Sequence, residues 1–245
     1  MPEAYLVIIG VGEQPAEHIT IEARAWLVNA GRVFYFLTDE AAQRWLHQLH
    51  PPAQSMQQEA DPLTPITIAL QAGMSVCLVL PGHPALHPLA HQALQQARTA
   101  GYRAWMSPAV SAEDCLFADL LVDPGRAGGQ SFDTTHFLLQ RCRFDASSML
   151  MLWHLHQIGQ LEAALGLRVL RDYLTDYYPA GHLVILYEPP TAGNQSQMQE
   201  FELQSLPTAQ VTPQTLLYVP GRPGAKADKA MRRRLGMEPA HGGTP

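Results

Sequence analysis

The chain lacks any apolar run approaching the roughly 18 residues needed to cross a bilayer, and its opening MPEAYLVIIG has no basic segment ahead of the apolar one. Neither a membrane span nor a secretory signal peptide is therefore expected. Cysteine is scarce: Cys77, Cys115 and Cys142 are odd in number, widely spaced and without a C-x-x-C pair. That excludes a disulfide framework and a cysteine zinc site, and suits a reducing, cytoplasmic compartment. Basic charge is also in short supply, with 16 Lys and Arg against 22 Asp and Glu and a formal net charge of −6. A nucleic-acid surface normally shows a basic stripe, so no nucleic acid is expected as partner. The basic residues that do cluster, Lys226, Lys229 and Arg232 to Arg234, read as the solvated face of a short terminal helix.

What is present alternates. Tyr5 to Ile9 is a β-branched and aromatic run ending at Gly10-Val11-Gly12, a buried strand entering a tight loop. Thr20 caps a helix to about Ala30, where Gly31 is expected to supply a left-handed stop. Val33 to Leu37 is a second strand, and Thr38 caps a helix from Asp39 to about Leu49. Residues 52 to 65 read as loop, followed by a short helix to Ala72 and a strand from Val76 to Leu80. Pro81-Gly82-His83-Pro84 turns the chain, Pro88 starts a helix, and Ala104 to Met106 is a brief strand. Ser111-Ala112-Glu113-Asp114 has the form of a capping box opening another helix, with Asp in the place of Glu or Gln. This order predicts an α/β fold whose mainly parallel sheet carries helices on both faces.

The second half differs in texture. Met149 to Leu155, Leu183 to Tyr187, Phe201 to Leu206 and Leu216 to Val219 read as strands, with a helix over Leu167 to Tyr178. A mixed sheet follows from that balance. The expected division is an N-terminal lobe over 1–122, a C-terminal lobe over 123–236 and a disordered tail over 237–245.

Local chemistry offers several candidates. Gly10 and Gly12 with Asp39 invite a dinucleotide-binding reading, but Glu13, Gln14 and Pro15 stand where the third glycine belongs. His83, His87 and His91 recur every fourth residue, a metal-binding spacing that Pro84 and Pro88 interrupt and no nearby carboxylate or Cys completes. His154 and His156 flank Leu155 in an expected strand and would share one face as structural residues. Ser111 has no G-x-S-x-G elbow and is explained as a cap, whose helix would offer free N–H groups to a polar ligand group. These features describe a ligand crevice at strand ends without selecting a chemistry.

The motifs taken in order carry a resemblance. LVIIGVG, VFYFLTDEAAQRWL, PGHPALHP, AGYRAWMSPAVSAEDCLFADLLVDPGRAGGQ, SSMLMLWHLHQIG, HLVILYEPP and VTPQTLLYVP together resemble the tetrapyrrole-methylase-like (class III) methyltransferases, and within them the borosin peptide α-N-methyltransferase branch. The resemblance covers most of residues 5–220, except about 52–72. It implies two α/β lobes with S-adenosylmethionine folded into the cleft between them, and a homodimer. It also implies cofactor-binding roles for Gly10, Gly12, Pro81, Gly82, His83, Ser111 and Ala112 in the first lobe, and for Trp153, Pro213 and Thr215 in the second. Tyr35 and His83 are the candidates for chemistry on a peptide or small-molecule acceptor, expected to be a separate molecule. The branch places a Tyr and Arg group in the region of 52–72, whereas this sequence has no Tyr, Arg or Lys between Trp45 and Arg98. Pro81 and Ala85 also replace a Tyr and a Gly of the branch. The alternative is a catalytically silent relative that serves as a binding subunit or regulatory partner.

Overall fold

The computed structural model describes residues 4–158, 163–223 and 228–237. Two compact units divide the chain: Met1–Asp123 with Leu186–Gln199, and Pro124–Ile185 with Glu200–Pro245.

The first unit begins with β1 (Tyr5–Gly10), α1 (Pro15–His18), α2 (Ile21–Asn29), β2 (Arg32–Tyr35), α3 (Glu40–Leu49) and β3 (Gln54–Ser55). It continues with α4 (Leu63–Gln71), β4 (Val76–Leu80), a 3-10 turn at Pro84–Leu86, α5 (Pro88–Thr99), β5 (Arg103–Met106) and α6 (Ala112–Asp119). The sheet order is β3-β2-β4-β1-β5, and every pairing in it is parallel. Strand periodicity sorts its core into two layers. Leu6, Ile8, Leu78 and Leu80 face one way, with Ile66, Leu70, Ala90 and Ala93 of α4 and α5. Val7, Ile9, Cys77 and Val79 face the other way, with Ala23, Leu27, Ala42 and Leu46 of α2 and α3. Both faces being covered explains why β1 and β4 read as unbroken apolar runs.

The second unit contributes α7 (Pro124–Ala127), β6 (Gly129–Asp133), α8 (Thr134–Leu139), β7 (Met149–Trp153), a 3-10 turn at Leu155–Gln157 and α9 (Ala163–Thr175). Then come β8 (Leu183–Glu188) and β9 (Gln197–Glu202), each with residues in both units' ranges, a 3-10 segment at Leu203–Thr208, β10 (Leu216–Val219) and α10 (Lys229–Arg234). This sheet runs β6-β7-β10-β8-β9. It is mixed, since β6 pairs with β7 in parallel and β7 with β10 antiparallel. Phe137 is fully buried beneath Phe132, Phe144 and Tyr173.

The α/β architecture agrees with the sequence reading, and several details correct it. Thr20 does cap α2 by accepting from Ala23 N–H at 3.0 Å. Gly31 is not left-handed: the chain leaves α2 through an extended Ala30, and Gly31 N–H donates to Ser75 Oγ. A Cβ on Gly31 would stand 3.3 Å from the Ser75 carbonyl, so smallness is what the position uses. Asp39, not Thr38, caps α3, because its carboxylate is the group that reaches Ala42 N–H at 2.7 Å. The stretch read as loop contains the two-residue β3, paired in parallel with β2. The expected strand at Phe201 lies earlier, at Gln197–Glu202, and Leu203–Thr208 coils as a 3-10 segment instead. Positions 238–245 of the expected tail, and Lys226 of the basic cluster, lie outside the described residues. Among the described residues no helix is long and apolar enough to cross a membrane.

Candidate cofactor site

Parallel pairing brings the C-terminal ends of β1, β4 and β5 to one edge of the first sheet, where open α/β sheets place their ligands. β1 ends at Gly10, opposite Leu80 of β4. Beyond them Gly12 and Gly82 form an isolated antiparallel bridge, each donating its N–H to the other's carbonyl at 3.3 and 3.1 Å. Both have positive φ, 71° and 57°, which glycine adopts without the clash a Cβ would bring. Crowding matters still more at Gly10. A Cβ there would stand 2.1 Å from the Gly82 carbonyl oxygen and 2.7 Å from Ala109 Cβ.

The third element is the start of α6. Ser111 N–H donates to Asp114 Oδ2 at 2.7 Å, and Asp114 N–H donates back to Ser111 Oγ at 3.2 Å. The expected capping box is therefore formed, with the Ser111 hydroxyl also donating to Asp114. Ser111 and Ala112 are both buried.

Glu13, which follows the Gly10–Gly12 loop, belongs to this cluster. Its carboxylate accepts the N–H of Ala112, and desolvation outweighs that bond, pushing the carboxyl up to about 7. Cys115, on α6, is pushed up to about 11 by burial and by the nearby Glu13, Asp119 and Asp114. The buried Tyr187 hydroxyl donates to Asp119 Oδ2 at 2.7 Å, and burial with that bond raises the phenol well above its usual range. The sequence reading missed this group. Glu13 had a local signal, an acid placed directly after a glycine loop at a strand end. Tyr187 had none, since 68 residues separate it from Asp119.

The other candidates fall in different places. His83 lies on the turn itself, where its Nδ1 accepts Ala85 N–H at 3.1 Å. His91 pairs with the Ala85 carbonyl, while His87 packs on Phe36 with a buried, unpartnered Nδ1. Burial lowers the His87 pKa. His87 is thus half-buried. Among the described residues no metal-holding cluster forms. Tyr35 is 4% exposed. Its hydroxyl lies 3.3 Å from His47 Nε2 on α3, within the α2–α3 core layer.

In the second unit β6 and β7 end side by side at Asp133 and Trp153. The Trp153 indole N–H donates to Ser131 Oγ at 2.6 Å. His154 does not continue the strand as expected. It takes a left-handed φ of 59°, which breaks the alternation and starts the 3-10 turn, and its Nδ1 lies 2.9 Å from Asp133 Oδ2. Thr215 is buried, and its Oγ1 accepts Thr212 N–H at 2.7 Å across the turn carrying the exposed Pro213.

A family model described as Tetrapyrrole (Corrin/Porphyrin) Methylases matches residues 5–194. Among curated relatives, the methyltransferase/omphalotin A cyclic peptide precursor of Omphalotus olearius is 27% identical over 259 residues, 96% of this chain and 62% of that protein. A methyltransferase/type III borosin precursor of Anomoporia bombycina is 33% identical over 200 residues, 74% of this chain and 23% of its own. A methyltransferase/dendrothelin A precursor of Dendrothele bispora is 29% identical, with 48% of its length matched. The chain thus spans less than two thirds of the length of each of these curated relatives. Among solved structures, uroporphyrin-III C-methyltransferase of Thermus thermophilus superposes with TM-score 0.67 at 18% identity, over 97% of this chain and 98% of that one. Its S-adenosylhomocysteine complex superposes with TM-score 0.64 at 16% identity, over 89% and 92%.

Proposed function

The chain belongs to the tetrapyrrole (corrin/porphyrin) methylase family, and we propose that it is an S-adenosylmethionine-dependent methyltransferase acting on a peptide or small-molecule acceptor. The observation that carries this reading is the meeting of three backbone turns beyond the sheet edge: Gly10–Gly12, Pro81–His83 and Ser111–Ala112. Gly10 and Gly82 let these turns approach more closely than a Cβ would allow, and α6 starts beside them, an arrangement of backbone turns that suits a compact ligand with polar ends. The S-adenosylhomocysteine held by the Thermus neighbour supports this choice of ligand. The names of the borosin relatives support a peptide as acceptor.

Once bound, the cofactor would supply an electrophilic methyl group on a sulfonium. The chain's own task is then to hold the acceptor in line and exclude water, which can account for much of the acceleration. Gly10, Gly12, Pro81, Gly82, His83, Ser111 and Ala112 would line the cofactor site in the first unit. Of the two residues considered for acceptor chemistry, His83 stands on the turn. Tyr35, tied to His47 in the core, is better explained by packing. A homodimer, tested by light scattering, completes the proposal.

A second reading rests on one observation, the lack of Tyr, Arg and Lys between Trp45 and Arg98. On that reading the scaffold binds cofactor or partner without turning over. Calorimetric titration with S-adenosylmethionine and S-adenosylhomocysteine tests both. Binding of either supports the cofactor site, and methyl transfer to an added peptide then separates enzyme from silent partner. No heat from either ligand, with folded protein, overturns the methyltransferase reading.

A further inference from the structure

The three turns meet on a charge. Glu13 follows Gly12 directly, its Oε1 lies 2.9 Å from where a Cβ on Gly82 would stand, and its carboxylate accepts Ala112 N–H at the start of α6. Glu13 in turn raises the Cys115 thiol on α6 and the Tyr187 phenol on β8, both of which burial also raises. The flanking histidines each turn Nδ1 to a backbone N–H: His18 Nδ1 accepts from Gln14 N–H, and His83 Nδ1 accepts from Ala85 N–H. A carboxylate so placed has one neutral donor, the Ala112 N–H, against the cost of burial. Ionising it there is unfavourable until a cation arrives, and burial accordingly holds its pKa at about 7.

We infer that Glu13 is a specificity-determining residue whose carboxylate recognises the positive charge of the cofactor, selecting the cationic sulfonium over the neutral thioether that remains once the methyl group is gone. The inference rests on the S-adenosylmethionine reading above and deepens it. Both ligands carry the same nucleoside and amino-acid ends and differ by one methyl group and one positive charge, so their comparison isolates that charge.

The test is calorimetry of the full chain with each ligand, at several pH values and in two buffers of different ionisation enthalpy, so that protons released on binding are counted. At about pH 6 Glu13 is mostly protonated in the free protein, and a cation stabilises its charged form. S-adenosylmethionine should then release close to one proton per site and S-adenosylhomocysteine close to none. The affinity ratio of the two should rise by up to about tenfold per pH unit and level off above about pH 7. Glu13→Gln keeps an oxygen for Ala112 N–H and should abolish both the release and the slope. Equal release with the two ligands in the wild-type chain overturns the inference without recourse to any variant, as does release that survives Glu13→Gln. If neither ligand binds, the cofactor reading itself fails, and this inference with it.

Discussion

The two places where parallel strands end in this chain are built on opposite terms. At the edge of the first sheet, backbone meets backbone: Gly12 and Gly82 exchange hydrogen bonds, and Gly10 has no room for one more carbon. At the ends of β6 and β7, side chain meets side chain, Trp153 with Ser131 and His154 with Asp133. The first arrangement is intolerant of added atoms, because backbone can yield only by moving the strands behind it. The second is sensitive to removed atoms, one hydrogen bond at a time. Close-packed backbone and a wall of side chains have these different tolerances.

The contrast is broken most severely at Gly10. In Gly10→Ala the new Cβ meets the Gly82 carbonyl at 2.1 Å and the Pro84 ring at 2.8 Å, and none of these is a flexible side-chain end. A loss of about 3 kcal/mol or more is expected in urea unfolding. Gly73→Ala is the control. Its φ is 78° but nothing lies within 4 Å, so only backbone strain of about 1 kcal/mol should register. Equal losses in the two variants would remove crowding as the principle of the first site.

Glu13 gives the next largest effect and the clearest pH signature. Its folded pKa of about 7 lies above its ordinary value of 4.5, so the folded chain binds that proton more tightly than the unfolded chain does. Stability should therefore fall as pH rises from about 4.5 to about 7, and stay level above. The full shift corresponds to at most about 3 kcal/mol, less in practice because the residue is only partly buried. Glu13→Gln should remove the slope and leave the variant more stable than the wild-type chain at pH 8. A parallel pH dependence in both proteins would show that Glu13 is not the group responsible.

Asp133 tests the other region. Desolvation raises its carboxyl, but the His136 N–H and His154 outweigh that and hold it below its ordinary value. This contribution is thus present above the unfolded pKa and lost as pH falls through the folded one. Asp133→Ala removes the cap of α8, whose His136 N–H donates to Oδ1 at 2.8 Å, together with the partner of His154. About 1 to 2 kcal/mol should disappear near neutral pH. A loss of similar size at low pH would assign the effect to something other than the charge.

Much of the first unit was legible because its signals are local. The alternation of apolar runs with capped helices, Thr20 on Ala23 and Ser111 on Asp114, needs only three or four residues to be read. The elements that escaped are those fixed from outside. β3 is two polar, exposed residues that extend because β2 lies beside them. β6, Gly129 to Asp133, begins at the end of a Gly- and Pro-containing stretch and takes its form from β7 pairing with it. His154 leaves the strand although its neighbours suggest it should continue, and Asp133, 21 residues earlier, meets it there. At the candidate site the glycines and the capping box were legible. The acid at its centre was seen only as an obstacle to a glycine motif, because its significance lies in Ala112 and Gly82 around it.

The smallest effect is also the sharpest probe of the side-chain wall. The Trp153 indole N–H donates to Ser131 Oγ at 2.6 Å near solvent, so water can replace either partner, and each of Trp153→Phe and Ser131→Ala should cost about 0.5 to 1 kcal/mol. Trp153→Phe also removes packing surface, so the single values will differ. The double variant should cost less than their sum by the coupling between the two groups, up to about 1 kcal/mol in a double-mutant cycle. At Gly10 no such cycle is possible, since the crowding there involves main-chain oxygen that substitution cannot remove. Strict additivity at Trp153 and Ser131 would mean that the indole is held by its packing alone, and that hydrogen bonding contributes nothing to the order of this strand end.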